Sequence, residues 1–144
     1  MPDMKEKGSG QIVNITSGVG KRGLPGLSPY CATKSSLNAL TESIRVELSP
    51  FGINVLSFSP GLVSTNFQNT SRVFGELKET FGGGVQVHPS FIAQKIVKSI
   101  EKKKRDVNFS LRSKMVNHIN SWAPGILDII LKRKAMSRYN LDSD

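Results

Sequence analysis

Two side chains that could share proton chemistry stand four positions apart: the phenol of Tyr30 and the ammonium of Lys34, in the run Tyr-Cys-Ala-Thr-Lys. On a helix, positions i and i+4 lie on one face, where an ammonium can lower the proton affinity of a phenol. A phenol tuned in that way can serve as a general acid/base near neutral pH. A third group, the hydroxyl of Ser17, precedes Tyr30 by thirteen positions. A Tyr-x-x-x-Lys spacing alone arises by chance in roughly one such chain in five. The surrounding elements must therefore decide whether it means anything.

Those elements have a regular order. Lys5-Glu6-Lys7 followed by Gly8-Ser9-Gly10 reads as the polar end of a helix. Gln11 to Ile15 is a short buried strand with the β-branched residues of a parallel sheet, and Thr16-Ser17-Gly18 ends it. Residues 18–29 hold Gly18, Gly20, Gly23, Pro25, Gly26 and Pro29, a loop leading into the Tyr30 helix. From Tyr30 to about Phe51 a buried stripe is expected at Leu37, Leu40, Ile44, Leu48 and Phe51, and Pro50 and Gly52 mark the end. Asn54 to Phe58 is a second buried strand, stopped by Ser59-Pro60-Gly61. Strand, helix, strand in this spacing is a βαβ crossover of a parallel sheet, with helices on its faces. Ligands of such sheets bind outside the carboxyl ends of the strands, here Ser17 and Pro60 to Thr65.

Further along, Leu62 to Val87 is expected to be a flap hinged at Gly82-Gly83-Gly84. Pro89 to Lys103 reads as a helix with Phe91, Ile92, Ile96 and Ile100 turned inward. Val107 to Leu111 reads as a third strand, and residues 112–139 as two short helical patterns broken at Pro124-Gly125.

The 144 residues suffice for one domain with a hydrophobic core. With 38% hydrophobic and 22% charged residues, the composition is that of a soluble globular protein. No apolar run reaches the roughly 18 residues of a membrane span, and the N-terminus does not read as a signal peptide. One cysteine, Cys31, allows no internal disulfide and fits a reducing, cytoplasmic location; a small buried role is expected for it. His88 and His118 lack metal-ligand spacing, so no metal site is expected. Trp122 is expected to pack rather than to stack on a substrate.

The net charge of +9 is concentrated at the end of the chain, where Lys95 to Arg138 hold 12 Lys/Arg against 3 Asp/Glu. Lys102-Lys103-Lys104-Arg105 and Lys132-Arg133-Lys134, the latter beside the apolar run Ile126 to Leu131, suggest either a solvated helix face or attachment to an anionic membrane surface. Nucleic-acid binding is disfavoured, because aromatic residues do not interleave with the basic ones.

Taken together, Ile12-Val13-Asn14-Ile15-Thr16-Ser17, then Ser17 with Tyr30 and Lys34, then Asn54-Val55, then Pro60-Gly61-Leu62-Val63-Ser64-Thr65 resemble the short-chain dehydrogenase/reductase family over roughly residues 4–108. The resemblance implies a Rossmann-type α/β fold and NAD or NADP as cofactor. It also implies an alcohol or carbonyl substrate whose oxygen exchanges a proton with Tyr30 while hydride moves to or from the nicotinamide. Ser17 would hold the substrate oxygen and Lys34 the nicotinamide ribose. The backbone near Val63 and the hydroxyl of Thr65 would meet the carboxamide, with Pro60 and Gly61 letting the chain pass close to the ring. Family members pair through the Tyr30 helix, which implies a homo-oligomer.

The family's Gly-rich phosphate turn, its Asn-Asn-Ala-Gly segment and its catalytic Asn have no counterpart in this chain. Residues 1–111 are therefore expected to correspond to the C-terminal half of the dehydrogenase domain, lacking the N-terminal βαβ half, and 112–144 to a basic helical extension. Only the nicotinamide half of the cofactor site would be present, the first strand would have an open edge, and the chain alone would be weakly active or inactive. The competing expectation is a non-catalytic interaction protein that binds a full-length homologue.

Overall fold

The computed structural model describes residues 1–66 and 86–138. The sheet consists of β1 (Gly10–Ile15), β2 (Ile53–Ser59) and β3 (Asp106–Asn108), all parallel, in the order β1-β2-β3. A short helix α1 (Pro2–Glu6) precedes β1. The crossover from β1 to β2 is α2 (Ser28–Leu48), and α3 (Pro89–Glu101) leads into β3. After β3 come α4 (Leu111–Trp122) and α5 (Pro124–Arg138).

Alternation along β2 divides the core in two. Ile53 and Val55 face α2, where they pack on Leu48 with Met4, Ile12 and Ile44. Leu56 and Phe58 face α3 and pack on Ile92, with Val13, Ile96, Ile100 and Val107 around them. The register pairs Ile12 with Val55 and Ile15 with Phe58. On its other side β1 pairs with no described strand.

The expected βαβ unit is present, with differences at its ends. Helix α2 starts at Ser28 because Pro29, which has no N–H to leave unbonded, fits the first turn. It gives way at Ser49 to a 3-10 turn that closes on Gly52 at φ 67°. The buried stripe of α2 is Cys31, Thr41 and Leu48, flanked by Ile44. Leu40, expected inside, is 53% exposed, since one face of α2 meets the sheet and Leu40 falls outside it. Phe51 is likewise exposed, and Lys5 Nζ lies 4.4 Å from its ring centroid.

On α3, Ile92 is buried, whereas Phe91 is 41% exposed. The Phe91 ring stands edge-on to Phe109 at 5.8 Å, at the rim of the core. The third strand is shorter and earlier than expected. Asn108 Oδ1 accepts from the Ser110 N–H at 3.2 Å, and Ser110 Oγ accepts from Ser113 N–H at 3.2 Å. These bonds end the strand and cap α4, so Leu111 opens a helix. The break expected at Pro124-Gly125 is present: α4 ends at Trp122, and Pro124 opens α5.

Trp122, expected to pack, is 80% exposed at the last residue of α4; the His118 ring, one turn back, stands 6.3 Å from it between centroids. Cys31 is buried, as its small side chain allows. The flap expected over Leu62 to Val87, with its hinge at Gly82 to Gly84, falls largely outside the described residues. Its two ends meet in a parallel bridge between Val63 and Val87.

Candidate active site

The sheet register sets the site. The ladder of β1 and β2 continues one step past Ile15, where Thr16 N–H donates to Phe58 O at 2.8 Å. Ser17 follows directly, with an extended backbone, and leads into the 3-10 turn Gly18–Gly20. Phe109 N–H donates to Ser59 O at 2.9 Å, so the end of β3 arrives at the same edge. There Gly61 turns at φ 78°, and a Cβ on it would stand 3.1 Å from Ser110 Cβ. Only a glycine makes that turn without strain.

Tyr30 and Lys34 lie one turn apart near the start of α2, with Lys34 Nζ 5.8 Å from the Tyr30 ring centroid. The ammonium donates to Ile15 O at 3.0 Å. Since Thr16 N–H points to β2, the alternation of a parallel strand turns the Ile15 carbonyl the other way, and Lys34 satisfies it. Thus Lys34 ties α2 to the last residue of β1, two positions before Ser17. The expected set of Ser17, Tyr30, Lys34, Pro60, Gly61, Val63 and Thr65 comes from the ends of β1 and β2 and the start of α2.

Beneath Ser17 lies a polar cleft of about 80 Å³, which neither Tyr30 nor Lys34 lines. It follows from the strand sequences. On the face toward α2, β1 runs Ile12, Asn14, Thr16 and β2 runs Val55, Ser57, Ser59, so the core turns polar toward the carboxyl ends. Asn14 Nδ2 donates to Thr41 Oγ1 at 2.8 Å, and Thr16 Oγ1 and Ser57 Oγ share a hydrogen bond of 3.1 Å. Three buried atoms lining the cleft, Asn38 Nδ2, Ser59 Oγ and Asn117 Oδ1, have no protein partner. This feature was missed from sequence, though polar residues at alternate positions of otherwise apolar strands were its signal.

Two arginines were also missed. Arg45 donates from Nε to Val55 O at 3.0 Å and pairs with Asp106 at 2.9 Å, joining α2 to β2 and β3. Arg22, in the loop between Ser17 and Tyr30, donates to Asn120 Oδ1 at 2.9 Å and pairs with Asp128. Exposed His88 caps α3 by accepting from Ser90 N–H at 3.3 Å. Among the described residues, no group of three or more His, Cys, Asp or Glu could hold a metal ion.

The described residues thus form a Rossmann-like parallel α/β sheet, with Tyr30 and Lys34 on the crossover helix and Ser17 just past a strand end. The family model described as short chain dehydrogenase matches residues 1–74, just over half of the chain, and the chain belongs to that family. It is 28% identical to "Dehydrogenase/reductase SDR family protein 7-like" of Drosophila melanogaster, over 99% of this chain and 45% of the relative. A short-chain dehydrogenase structure from Streptomyces avermitilis matches with a TM-score of 0.67 and 26% identity, covering 97% of this chain and 56% of that one. A short-chain dehydrogenase of Burkholderia cenocepacia solved in complex with NADP shares the fold, with a TM-score of 0.72 at 20% identity over 90% of this chain and 50% of that one. The chain spans less than half the length of the curated relatives it matches.

Proposed function

We propose that this chain carries the proton-transfer and nicotinamide half of an NAD(P)-dependent dehydrogenase site that interconverts an alcohol and a ketone. The observation that carries the reading is the Lys34 bond to Ile15 O, which holds Tyr30 and Lys34 against the strand end bearing Ser17. Residues 1–111 correspond in this reading to the C-terminal half of a dehydrogenase domain, and 112–144 to a basic helical extension.

Tyr30 takes the hydroxyl proton of the alcohol during oxidation and returns it to the carbonyl oxygen during reduction. Ser17 donates a hydrogen bond to that oxygen as negative charge develops on it. Lys34 keeps one hydrogen on Ile15 O and has others for a ribose hydroxyl. A bound nicotinamide would supply the hydride acceptor or donor. The residues that would meet that half of a cofactor follow one strand end: Pro60 and Gly61, where the chain turns at a positive φ, then the backbone at Val63 and the Thr65 hydroxyl. For the pyrophosphate half, the sequence holds no Gly-x-x-x-Gly-x-Gly after a strand, and the glycines that follow β1 (Gly18, Gly20, Gly23 and Gly26) belong to the loop leading into α2.

A second reading, a non-catalytic interaction protein that binds a full-length homologue, is favoured by the edge of β1 that has no partner among the described residues and by exposed Leu40 and Val46 on α2. Calorimetric titration with NADPH and NADH tests the first reading; binding weaker than micromolar is expected, and micromolar affinity overturns the half-site assignment. Residual alcohol or ketone turnover should fall by about 10²–10⁴-fold in Tyr30→Phe with an unchanged circular dichroism spectrum. Turnover that survives the substitution removes Tyr30 from the chemistry.

A further inference from the structure

The corner between α4 and α5 leaves apolar side chains in solvent. Beside Trp122, Ile126 is 55% exposed and Ile129 57% exposed, with Ile130 exposed as well; Leu127 alone in that turn is buried. Lys132, Arg133 and Lys134 follow, all exposed. With a rise of 1.5 Å per residue, Ile126 and Arg133 are about 10 Å apart along the axis. Charge and apolar surface are therefore separated along α5, not around it. The one acid between Leu111 and Arg138 is Asp128, and it is paired with Arg22.

We infer that this corner is a wedge that seats on an anionic lipid surface. Trp122, Ile126 and Ile129 enter the acyl boundary, while Lys132, Arg133 and Lys134 lie at the level of the phosphates. The dimensions agree: interfacial segments bury their apolar part by about 5–10 Å, the axial offset found on α5. At 15 residues, α5 is about 22 Å long, and no described helix is long and apolar enough to cross a membrane. The chain thus rests on the surface through this corner. A protein partner would need an apolar pocket with a dense acidic rim at one fixed distance. An anionic bilayer offers both everywhere, and a tryptophan ring suits its headgroup boundary. The other basic run, Lys102 to Arg105, lies at the start of β3, at the opposite end of the strands, and takes no part.

Trp122 is the sole tryptophan, so its emission reports on this corner alone. The full chain is mixed with vesicles of phosphatidylcholine, or of phosphatidylcholine with phosphatidylserine. Co-flotation and a blue shift are expected only with phosphatidylserine, both lost at high salt. Replacing Lys132, Arg133 and Lys134 together by Gln should weaken binding about a hundredfold, at roughly fivefold per basic residue. The pair Ile126→Ser and Ile129→Ser should abolish the blue shift with the helical dichroism unchanged. Equal binding to both vesicles, or none to either, overturns the proposal. So does a lipid-free emission that is already blue and moves to the red on dilution, which would mean that a second copy covers the corner.

Discussion

Two hydroxyls that line the cleft together with Ser17 have opposite standing. Thr41 is fully buried on α2; its Oγ1 accepts from Asn14 Nδ2 and donates to Leu37 O at 2.6 Å. Ser59 is also buried, yet its Oγ has no protein partner. The cleft it lines, at about 80 Å³, has room for several waters at roughly 10–15 Å³ each, and water bridging the unpartnered atoms accounts for them. Removing a bonded buried hydroxyl leaves its partner unpaired, whereas removing one served by water costs little. Urea unfolding should therefore show Thr41→Val destabilised by about 1–3 kcal/mol, and Ser59→Ala changed by less than about 1 kcal/mol. A loss in Ser59→Ala as large as in Thr41→Val would mean that Ser59 is bonded directly to protein.

Among the elements, the loop between β1 and α2 is the one whose placement matters for the site, and α4 and α5 hold it. Arg22 reaches Asn120 and Asp128, and Asn120 Nδ2 donates back to Lys21 O at 3.0 Å. Because Asp128 is largely exposed, the ion pair itself contributes little, roughly 0.2–1 kcal/mol. Its effect is on order. Arg22→Gln should leave the unfolding midpoint nearly unchanged while hydrogen exchange speeds up across residues 18–29; unaltered exchange there would show that the glycines and prolines set the loop unaided.

The same region shows what a linear sequence displays. β1, α2 and β2 were legible because period and punctuation coincide: β-branched residues in the strands, Pro29 and Gly52 around the helix. The places of Ser17 and Pro60 at strand ends and of Tyr30 and Lys34 on the crossover helix followed from the same strand-helix-strand punctuation, whereas their roles came only from the family resemblance. The Arg22 contacts span about a hundred positions and carry no local pattern. Leu111 failed for a different reason: its apolar side chain suggested a strand, but the Asn108 and Ser110 side chains fix the backbone there.

At the scale of the whole molecule, the sheet is asymmetric. β2 has a strand on each side, β1 along its length and β3 at Ser57 to Ser59, while β1 presents one edge with no described partner. Lys34 takes the Ile15 carbonyl on that edge, and an unpaired edge of apolar residues recruits further chains. Ile15 is the residue there that stands in solvent, so a charge at that position can oppose edge pairing without entering the core. Sedimentation velocity of the full chain should show association that grows with concentration. Ile15→Glu should shift it toward monomer with the dichroism preserved, because a carboxylate beside the ladder must be desolvated when a second strand docks. If Ile15→Glu associates as the parent does while a charge at Leu40 disperses it, the copies meet through α2 and not through the sheet.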